Sequence, residues 1–462
     1  MKPPNPLSSN KTSFLFVLII LTVILPLAVL LFFRLERTAP EVHLNIPGSV
    51  LGASSRITGD IVDLQTGLKK VHIALMKGDK EVVVLLDEKL PAGMILKGGT
   101  VFQKSIDLLV EPKKQGLKDG PVVLKITVVD YSWRKWWNGN KSVIEKTVTI
   151  DTAPPRIEVL SKAHNVNQGG VGLVVYKMNE KNTKSGVHVG DHYYPGYAGY
   201  FTNEMIYLCF FSVTPEQGRD TSLYISAVDE AGNKARGGFY YHIRRKIFKE
   251  DTIPVTESFM DSKMPEFDTS EFGVPDPSGI KKFLAVNQKL RQKNDRQITA
   301  PGQNPEKKIY WEGAFERLPQ SAPRAAFADH RTYMYNGEKV DQQYHMGLDL
   351  ASLKFSPVPA ANAGKVVLTE EIGIYGKTVV IDHGFGLFSV YAHLNQITTE
   401  IGKIVAKKEV IGTTGMTGLA VGDHLHFSMF VHDAFVNPIE WFDPLWIKNN
   451  ITSKMEEAKA LQ

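Results

Sequence analysis

The sequence predicts a mainly β protein that follows one N-terminal transmembrane helix. Three features indicate this. An uncharged apolar run covers Ser13–Phe33, short alternating or apolar runs separated by turn residues recur from Pro40 to about Lys246, and glycine-rich alternating runs fill 309–446. The 462 residues, 43% hydrophobic and 22% charged, suffice for about three domains with apolar cores.

The apolar run Ser13–Phe33 is long enough to cross a bilayer as a helix, and Pro26 is tolerable inside such a helix. A cleaved signal peptide and a buried core helix are the alternatives. The end of the run, Phe32-Phe33-Arg34-Leu35, offers no small-residue cleavage site. We therefore expect an uncleaved anchor at 13–33 behind a short cytoplasmic tail at 1–12.

Two related β-sandwich units are predicted, at 39–151 and 152–246. The segment ITVVDYSW at Ile126–Trp133 is echoed by ISAVDEAGN at Ile225–Asn233, each shortly before a final strand. The pattern resembles bacterial immunoglobulin-like repeats, from which the first unit departs through its insertion WRKWW. Such a fold does not fix function. The units are either spacers or binding modules, with the insertion's tryptophans free to stack on sugars or packed between domains.

The segment 247–308 is polar and reads as a connector. Ser278 is a candidate N-cap for an amphipathic helix with one apolar side. That side carries Ile280, Phe283, Leu284, Asn287 and Leu290. Two interpretations remain open: a connector packed on a neighbouring domain, or a segment that covers and restrains the cleft of the C-terminal domain.

Net charge and cysteine content exclude several classes of function. A net charge of +5, spread along the chain, does not predict nucleic-acid binding but suits an anionic surface. The single cysteine, Cys209, excludes an internal disulfide and a cysteine-based zinc cluster. Its apolar surroundings, MIYLCFF, predict a buried strand position.

The segment GDHLHFSMFVH reads as a strand in which His424 and His426 share one face. Taken alone, this H-x-H pair is either solvent-facing or directed at one ion. His345 and Asp349 also lie an even number of residues apart. Two histidines and a carboxylate form a set of three for catalytic Zn²⁺, which leaves a fourth position for water. Spacing does not decide between His424 and His426 as the ligand.

Other histidines and one tyrosine near these motifs are expected to have supporting or structural roles. His393, in SVYAHL, is placed to hold a water or a developing oxyanion, and Tyr391 is placed to line the same groove. His330 is expected to be structural or at the rim, and His383 to turn a loop. His432 is expected on the apolar side of its strand.

These residues lie in sequence blocks that resemble the lysostaphin-type (LytM-type) zinc endopeptidases. The blocks, in order, are HMGLDLA, PVPAANAGKVV, YGKTVVIDHG, YAHL, IGTTGMTG and GDHLHF. The resemblance implies an antiparallel β zinc peptidase domain at 309–446, followed by a tail at 447–462 that is a surface helix or loose. By the same resemblance, the zinc ligands are His345, Asp349 and His426, and the non-ligand catalytic pair is His393 and His424.

The resemblance implies a membrane-anchored zinc endopeptidase that hydrolyses peptide stems or cross-links of peptidoglycan. A catalytically silent scaffold that activates another wall hydrolase is the alternative. A general metalloprotease is disfavoured because the H-E-x-x-H helix is missing from the sequence. Flanking lysines and arginines do not orient the helix. The expected function orients the helix instead: the residues that follow it, which form the C-terminal bulk of the chain, are expected in the periplasm, beyond the cytoplasmic membrane. A cell-wall protein could also bind the immunoglobulin-like units there.

Overall fold

A computed structural model describes residues 9–46, 48–94, 98–181 and 183–461. Strands dominate these residues, which confirms the predicted mainly β fold with its apolar N-terminal helix. The chain divides into two compact units. The first comprises 1–154 with 229–233, and the second comprises 155–228 with 234–462.

The N-terminal helix is continuous in the described residues, with a π-helical turn in its middle: Ser9–Ile19, Ile20–Ile24 and Leu25–Arg34. The apolar stretch Ser13–Arg34 is long and apolar enough to cross a membrane, and its most apolar 18-residue window is not buried inside the protein. Arg34, at the end of the helix, is buried. A signal sequence would satisfy the same test. The predicted tail at 1–12 lies outside the described residues up to residue 8, and residues 9–12 belong to the helix.

The first unit contains two sheets with a shared apolar core. One sheet pairs Glu41–Asn45, Ser55–Val62 and Gln103–Val110. The other orders Val50–Leu51, Lys141–Ile150, Gly120–Asp130, Leu68–Lys77 and Lys80–Glu88. Residues at alternate positions, such as Val122, Leu124, Ile126 and Val128, are buried, as the period-two alternation of a strand requires.

The internal sequence echo corresponds to a repeated hydrogen-bond arrangement in the first unit. Asn140 Nδ2 donates to Asp130 Oδ2 at 2.8 Å and to the Glu36 carbonyl at 3.2 Å. Asn233 Nδ2 donates to Asp229 Oδ2 at 2.9 Å and to the Asp151 carbonyl at 2.9 Å. In both places an Asp–Asn pair fixes the chain segment that leads into or out of a β region.

The first part of the second unit is a set of short strands. One sheet orders Ile206–Ser212, Val171–Met178 and Ile157–Val159. Another orders His192–Pro195, Lys184–Val189, Leu223–Val228 and Lys234–Gly237. His164–Asn167 pairs in parallel with Tyr241–Arg244. Cys209 is fully buried in its strand, as predicted, and burial raises its pKa to about 12.

An eight-stranded sheet dominates the C-terminal part. Its order is Ala322–Ala325, Leu348–Ala351, Leu425–Val431, Leu387–Leu394, Gly376–Gly384, Gly364–Ile372 and Ile404–Val405, with Ala434–Val436 paired to Leu425–Val431. A smaller sheet holds Pro357–Pro359, Val410–Thr413 and Gln396–Ile397. We call Leu425–Val431 the His-x-His strand, although only His426 of that motif lies in it: His424 directly precedes the strand and forms an isolated bridge with Gly415.

The connector is built into the second unit rather than lying loose. Glu250–Pro254 pairs in parallel with His330–Tyr335, which pairs in turn with Glu338–Tyr344. Short helical segments follow at Glu257–Lys263, Met264–Glu266 and Ser270–Phe272. A longer helix runs through Ile280–Leu284, Ala285–Leu290 and Arg291–Thr299, before Ala300–Gln303.

The predicted amphipathic helix exists, but its cap differs from the prediction. Gly279 is the N-cap residue, and Ser278 instead donates its hydroxyl to Asp261 at 2.6 Å. Phe283 and Leu290 are buried, as the apolar pattern predicts. A glycine at this position reflects a φ of 92°, which side chains with a Cβ rarely adopt.

Residues of the predicted second sandwich and of the C-terminal domain share one hydrophobic core. Phe210 packs against Trp441 with ring centroids 6.2 Å apart. Glu440 is buried and accepts hydrogen bonds from Asn167 Nδ2 at 2.7 Å and from the Val171 amide at 3.0 Å. These contacts join the two regions within the second unit.

The end of the chain is helical and packed. Helical segments cover Ile439–Phe442, Pro444–Ile447, Lys448–Thr452 and Ser453–Lys459, and a short 3-10 turn, Gly373–Tyr375, lies earlier in the domain. Ile447, Ile451, Met455 and Ala458 are buried. The helical alternative predicted for this tail therefore applies, with one apolar side covered.

Candidate metal centre

Strand pairing brings the predicted ligands together. Asp349 lies on the strand Leu348–Ala351, directly opposite His426 on the His-x-His strand. Because antiparallel neighbours opposite each other place their side chains on the same face, the carboxylate and imidazole converge. His345 lies just before the same short strand and completes the group.

The three donor atoms form a compact triangle. His345 Nε2 is 3.0 Å from Asp349 Oδ1 and 3.1 Å from His426 Nδ1, and His426 Nδ1 is 2.9 Å from Asp349 Oδ1. Tetrahedral zinc with bond lengths of about 2.0–2.1 Å separates its ligands by about 3.3 Å. The donor set and its spacing thus fit one zinc ion with a position left for water.

Hydrogen bonds at the outer nitrogens fix the tautomers of both histidines. His345 Nδ1 donates to the Ala326 carbonyl at 2.9 Å. His426 Nε2 donates to Ser428 Oγ at 2.9 Å, because the Ser428 hydroxyl itself donates to the Met346 carbonyl at 2.6 Å. Each histidine therefore turns an unprotonated nitrogen toward the triangle, as metal ligation requires.

Gly347 allows this close packing. A Cβ at residue 347 would lie 2.5 Å from Ser428 Oγ and 2.7 Å from the His426 ring. Any larger residue would displace the side chain that orients His426. The glycine of the HMGLDLA block is thus required because the backbone at residue 347 passes close to the ring of His426.

Burial and mutual contact set the charge states. Burial works against ionisation of Asp349, but His345 nearby and hydrogen bonds from the histidines outweigh it, so the pKa of Asp349 lies well below its usual range. Burial lowers the pKa of His426 to about 4 despite its contact with Asp349. A carboxylate and a neutral imidazole are the forms that bind a metal ion.

His393 and His424 lie beside the triangle, with ring centroids 4.9 Å apart. His393 Nδ1 donates to the Thr417 carbonyl at 2.9 Å, and His424 Nδ1 donates to the Gly422 carbonyl at 2.7 Å. In both residues Nε2 is therefore the ring nitrogen that remains for chemistry. His424 Nε2 is 3.4 Å from Asp349 Oδ1. Burial is the main cause that holds the pKa of His393 well below its usual range.

The backbone at His393 is unusual. Its φ is +59°, and the pairing of Gly376–Gly384 with Leu387–Leu394 shifts register between Lys377 and Val379. Bulges and left-handed residues redirect side chains and concentrate at functional sites. The irregularity therefore explains how His393 turns toward the metal centre at the end of a buried strand.

Sequence reasoning missed two residues at the site. Arg331 Nη2 donates to Asp349 Oδ2 at 3.3 Å. The Tyr375 ring packs against His426 with centroids 5.6 Å apart, and its hydroxyl donates to Asp295 Oδ1 at 2.7 Å. A charged residue inside the strand-like run HRTYMY was the available signal for Arg331. The role of Tyr375 depends on tertiary packing.

The centre opens into a cavity of about 750 Å³. Its lining combines the five predicted site residues with Arg324, Arg331 and Tyr375, and with connector residues that include Ile253, Val255, Phe259, Phe283 and Arg291. The connector thus forms one wall of the cavity. Restraint of activity by this segment stays a prediction.

The remaining polar predictions have mixed outcomes. His330 is not among the residues that line the cavity, and it contacts Glu250, with Nδ1 and Oε2 2.9 Å apart, which agrees with the structural alternative. His383 is fully buried within a strand, where Nδ1 donates to the Ala363 carbonyl at 2.8 Å. The placement of Tyr391 in the groove was wrong: its hydroxyl lies in the core and accepts from the Ala361 amide at 2.7 Å.

Comparisons with known proteins agree with the sequence resemblance. Residues 343–438 match the model of Peptidase family M23. DD-carboxypeptidase/endopeptidase Mpg of Neisseria meningitidis is 37% identical over 95 residues, which are 21% of this chain and 22% of that protein. Peptidoglycan DD-endopeptidase ShyA of Vibrio cholerae is 35% identical over 96 residues, which are 21% of this chain and 22% of that protein. The chain therefore matches only about a fifth of the length of these relatives.

One solved structure, a putative peptidase M23 from Pseudomonas aeruginosa, aligns with a TM-score of 0.38 and 19% identity over 60% of this chain and 94% of that one. An alignment at this TM-score carries no conclusion about activity. Fold, donor set and matched segment together define the C-terminal region as a metallopeptidase-type β domain. It is a Peptidase family M23 domain of the LytM type, as its sequence blocks predicted.

Proposed function

We propose that this chain is a membrane-anchored zinc endopeptidase that hydrolyses peptide stems or cross-links of bacterial peptidoglycan. The observation that carries the proposal is the convergence of His345, Asp349 and His426 on one point beside two further imidazoles. The wall-hydrolase names of relatives such as ShyA support the choice of peptidoglycan as substrate.

His345 Nε2, Asp349 Oδ1 and His426 Nδ1 would hold the zinc ion. When bound, zinc supplies Lewis acidity that acidifies a water and polarises a peptide carbonyl. Arg331 holds the second carboxylate oxygen of Asp349. Ser428 and the Ala326 carbonyl keep the two ligand histidines in orientation.

His393 and His424 would handle the proton. In each, Nδ1 is occupied by a backbone carbonyl, so Nε2 is the atom that accepts or donates a proton in the cavity. Their rings lie side by side, which lets one orient the attacking water while the other contacts the carbonyl oxygen. Catalysis by positioned imidazoles of this kind contributes about 10²–10⁴-fold.

The apolar helix Ser13–Arg34 supports the proposed anchor in the cytoplasmic membrane. A wall peptidase must carry its bulk outside the cytoplasm, so the residues after Arg34 would lie in the periplasm. The immunoglobulin-like β regions would then act as a spacer or bind a cell-wall protein.

The test uses the full chain in detergent, loaded with zinc. We expect about one zinc per chain, release of soluble fragments from purified peptidoglycan, and loss of release with a chelator. His345→Ala should lose both zinc and activity. His424→Ala should keep zinc and lose activity, because its ring contacts Asp349 only at 3.4 Å.

The exposed His242, in the second unit but away from the cavity, provides a matched control. His242→Ala should leave zinc content and fragment release unchanged. A fully zinc-loaded wild type that releases no fragments would refute the peptidase. If that protein still stimulates another wall hydrolase, the silent-scaffold alternative is correct.

A further inference from the structure

The cavity beside the candidate metal centre has a cationic side whose hydrogen-bonding capacity is only partly used. Three arginines line the cavity: Arg291, Arg324 and Arg331. Arg291 is occupied, since its Nε and Nη2 donate to the backbone and side-chain oxygens of Asn287 at 3.1 and 2.6 Å. The other two arginines retain free donors.

Arg331 offers a donor that has no partner. Its Nη2 contacts Asp349, but its Nε is buried and makes no hydrogen bond with the described part of the chain. A buried donor without a partner costs about 1–3 kcal/mol. An incoming acceptor would remove this cost.

Arg324 offers a complete guanidinium. Among the described residues it has no hydrogen-bond or ion-pair partner, and it is exposed. It lies at a register shift where Ala322–Ala325 pairs with the strand that carries Asp349. A β-bulge redirects a side chain, and here the redirected residue lines the cavity one position from Ala325, the partner of Asp349.

Few acidic groups compete for these arginines in the cavity. Asp349 belongs to the metal site. Asp423 accepts from Thr414 Oγ1 at 2.6 Å and from the Phe355 amide at 3.3 Å. With zinc bound, this side of the cavity is therefore positive. A planar guanidinium is the group best suited to a carboxylate.

We propose that Arg324 and Arg331 bind a free carboxylate of the substrate next to the scissile amide. The substrate class is then a cross-linked peptide in which the residue on the amine side of the bond retains its carboxylate. This inference rests on the proposed peptidase function and specifies its substrate.

The test compares two synthetic cross-linked peptides that differ only in a free carboxylate or a carboxamide at that residue. We expect the wild type to prefer the carboxylate by about 10- to 100-fold, mainly in KM, the range of a charge-assisted hydrogen bond. Arg324→Gln should lose this preference, and Arg324→Glu should reverse it. Zinc content should stay the same in both variants.

Arg296→Gln is the matched control, because Arg296 is an exposed arginine of the second unit that does not line this cavity. It should behave as wild type. Equal cleavage of both peptides by wild type, or an unchanged preference in Arg324→Gln, would overturn the carboxylate site and leave the peptidase standing. If neither peptide is cleaved, calorimetric binding decides: tighter binding of the carboxylate peptide, lost in Arg324→Gln, supports the site and places the failure in the hydrolysis.

A second, independent observation concerns two indoles near the end of the apolar helix. Trp136 and Trp137 are 86% and 60% exposed, with ring centroids 6.3 Å apart. Their backbone φ values are +57° and +62°, which turns both residues out of a regular helix. Lys135 and Arg134 lie next to them in the sequence.

This Trp loop, residues 133–137, is attached to the helix end. The Trp133 amide donates to the Arg34 carbonyl at 2.7 Å, and the Arg34 guanidinium lies 4.8 Å from the centre of the Trp133 ring. Ser132 Oγ also donates to the Arg34 carbonyl at 3.2 Å. The exposed indoles therefore lie close to the residue at which the apolar stretch ends.

We infer that Trp136 and Trp137 insert into the lipid headgroup region where the helix leaves the bilayer. Indoles favour that region because they are apolar with one hydrogen-bond donor, and the neighbouring basic residues suit anionic headgroups. The inference rests on the proposed membrane anchor.

The full chain is reconstituted into phosphatidylcholine vesicles, with or without bromine on the upper acyl chain. We expect bromine to quench part of the tryptophan fluorescence, and Trp136→Ser with Trp137→Ser to abolish that quenching. Trp446→Phe, which removes an indole of the second unit, should retain it. Unchanged quenching in the double variant would overturn the inference alone, as would wild-type indoles that respond only to added glycan oligomers. Release of the chain by alkaline carbonate would overturn the anchor as well.

Discussion

Glu440 is a buried carboxyl whose ionisation works against folding. Burial raises its pKa to about 7, from the ordinary 4.5, although Asn167 and the Val171 amide donate to it. Its folded-state pKa exceeds the unfolded value. Its contribution to stability is therefore full below about pH 4.5 and is lost as the pH rises through about 7.

Glu440→Gln should remove this dependence. As the pH rises from 5 to 8, the free energy of unfolding of the variant should increase by roughly 3 kcal/mol relative to that of wild type. The reason is that wild-type Glu440 has a folded-state pKa about 2.5 above its unfolded value, and glutamine does not titrate. Urea unfolding of the second unit at the two pH values measures the difference. Glu456→Gln, at an exposed position of the same C-terminal segment, should show no such change. Parallel pH profiles for wild type and Glu440→Gln would contradict the assignment.

At this scale the sequence singled out side chains whose type is rare and whose blocks resemble those of LytM-type peptidases. The structure brings His345, Asp349 and His426 together beside His393 and His424, and the roles that the resemblance assigns to these five residues stay predictions. Arg331 and Tyr375 could not be named. Their roles arise because separate strands and the connector bring Asp349, His426 and Asp295 to them, which no local pattern encodes.

The connector helix is held by core contacts as well as by chain connectivity. Phe283 is 1% exposed and packs against Phe259 and Tyr333, with ring centroids 6.4 and 5.5 Å away. Asn294 Oδ1 accepts from the Ile374 amide at 3.0 Å. The helix therefore supports the segment around Tyr375, which contacts the metal centre.

Phe283→Ala should lower the free energy of unfolding of the second unit by about 3–5 kcal/mol, because it leaves a cavity in a packed core. Chemical denaturation measures the loss. Lys281→Ala, on the exposed side of the same helix, should change stability by less than about 0.5 kcal/mol. A loss below about 1 kcal/mol for Phe283→Ala would show that the connector is not part of the core.

Elements were predictable where one periodicity dominated. An amphipathic helix carrying Ile280 to Leu290 on one side was expected from its apolar pattern, and the structure extends it to Thr299. Its cap was not expected, because the hydroxyl of Ser278 binds Asp261, a residue brought there by tertiary structure. The strand Glu250–Pro254 was missed, since its proline and charges resemble a linker and the strand with which it pairs, His330–Tyr335, lies far along the sequence.

For the whole molecule, the candidate metal centre at His345, Asp349 and His426 belongs entirely to the second unit. Removing zinc should therefore lower the unfolding temperature of that unit and leave the first unit unchanged. At a zinc concentration about 1,000 times the dissociation constant, the stabilisation is about 4 kcal/mol. Calorimetry of the full chain with and without chelator tests this. His345→Ala should not respond to chelator, and an equal shift of both transitions would contradict the assignment.

The sequence pattern divides residues 152–446 into more segments than the spatial contacts between residues do. The pattern separates 152–246, 247–308 and 309–446, because each has its own composition and strand spacing. Contacts place them in one unit, because Trp441, Phe210 and Phe283 belong to one apolar cluster. Burial between regions distant in sequence leaves no mark in the local alternation of either region.

The single core of the second unit also affects the order of events during synthesis. Its apolar cluster includes residues from Leu160 to Ala458, almost at the end of the chain. A polypeptide threaded across a membrane as proposed cannot complete this core until the helix Ser453–Lys459 has emerged from the translocation channel. A chain that stalls before that point would lack part of the apolar core that supports the strands carrying Asp349 and His426, so the candidate metal centre would form only late in synthesis.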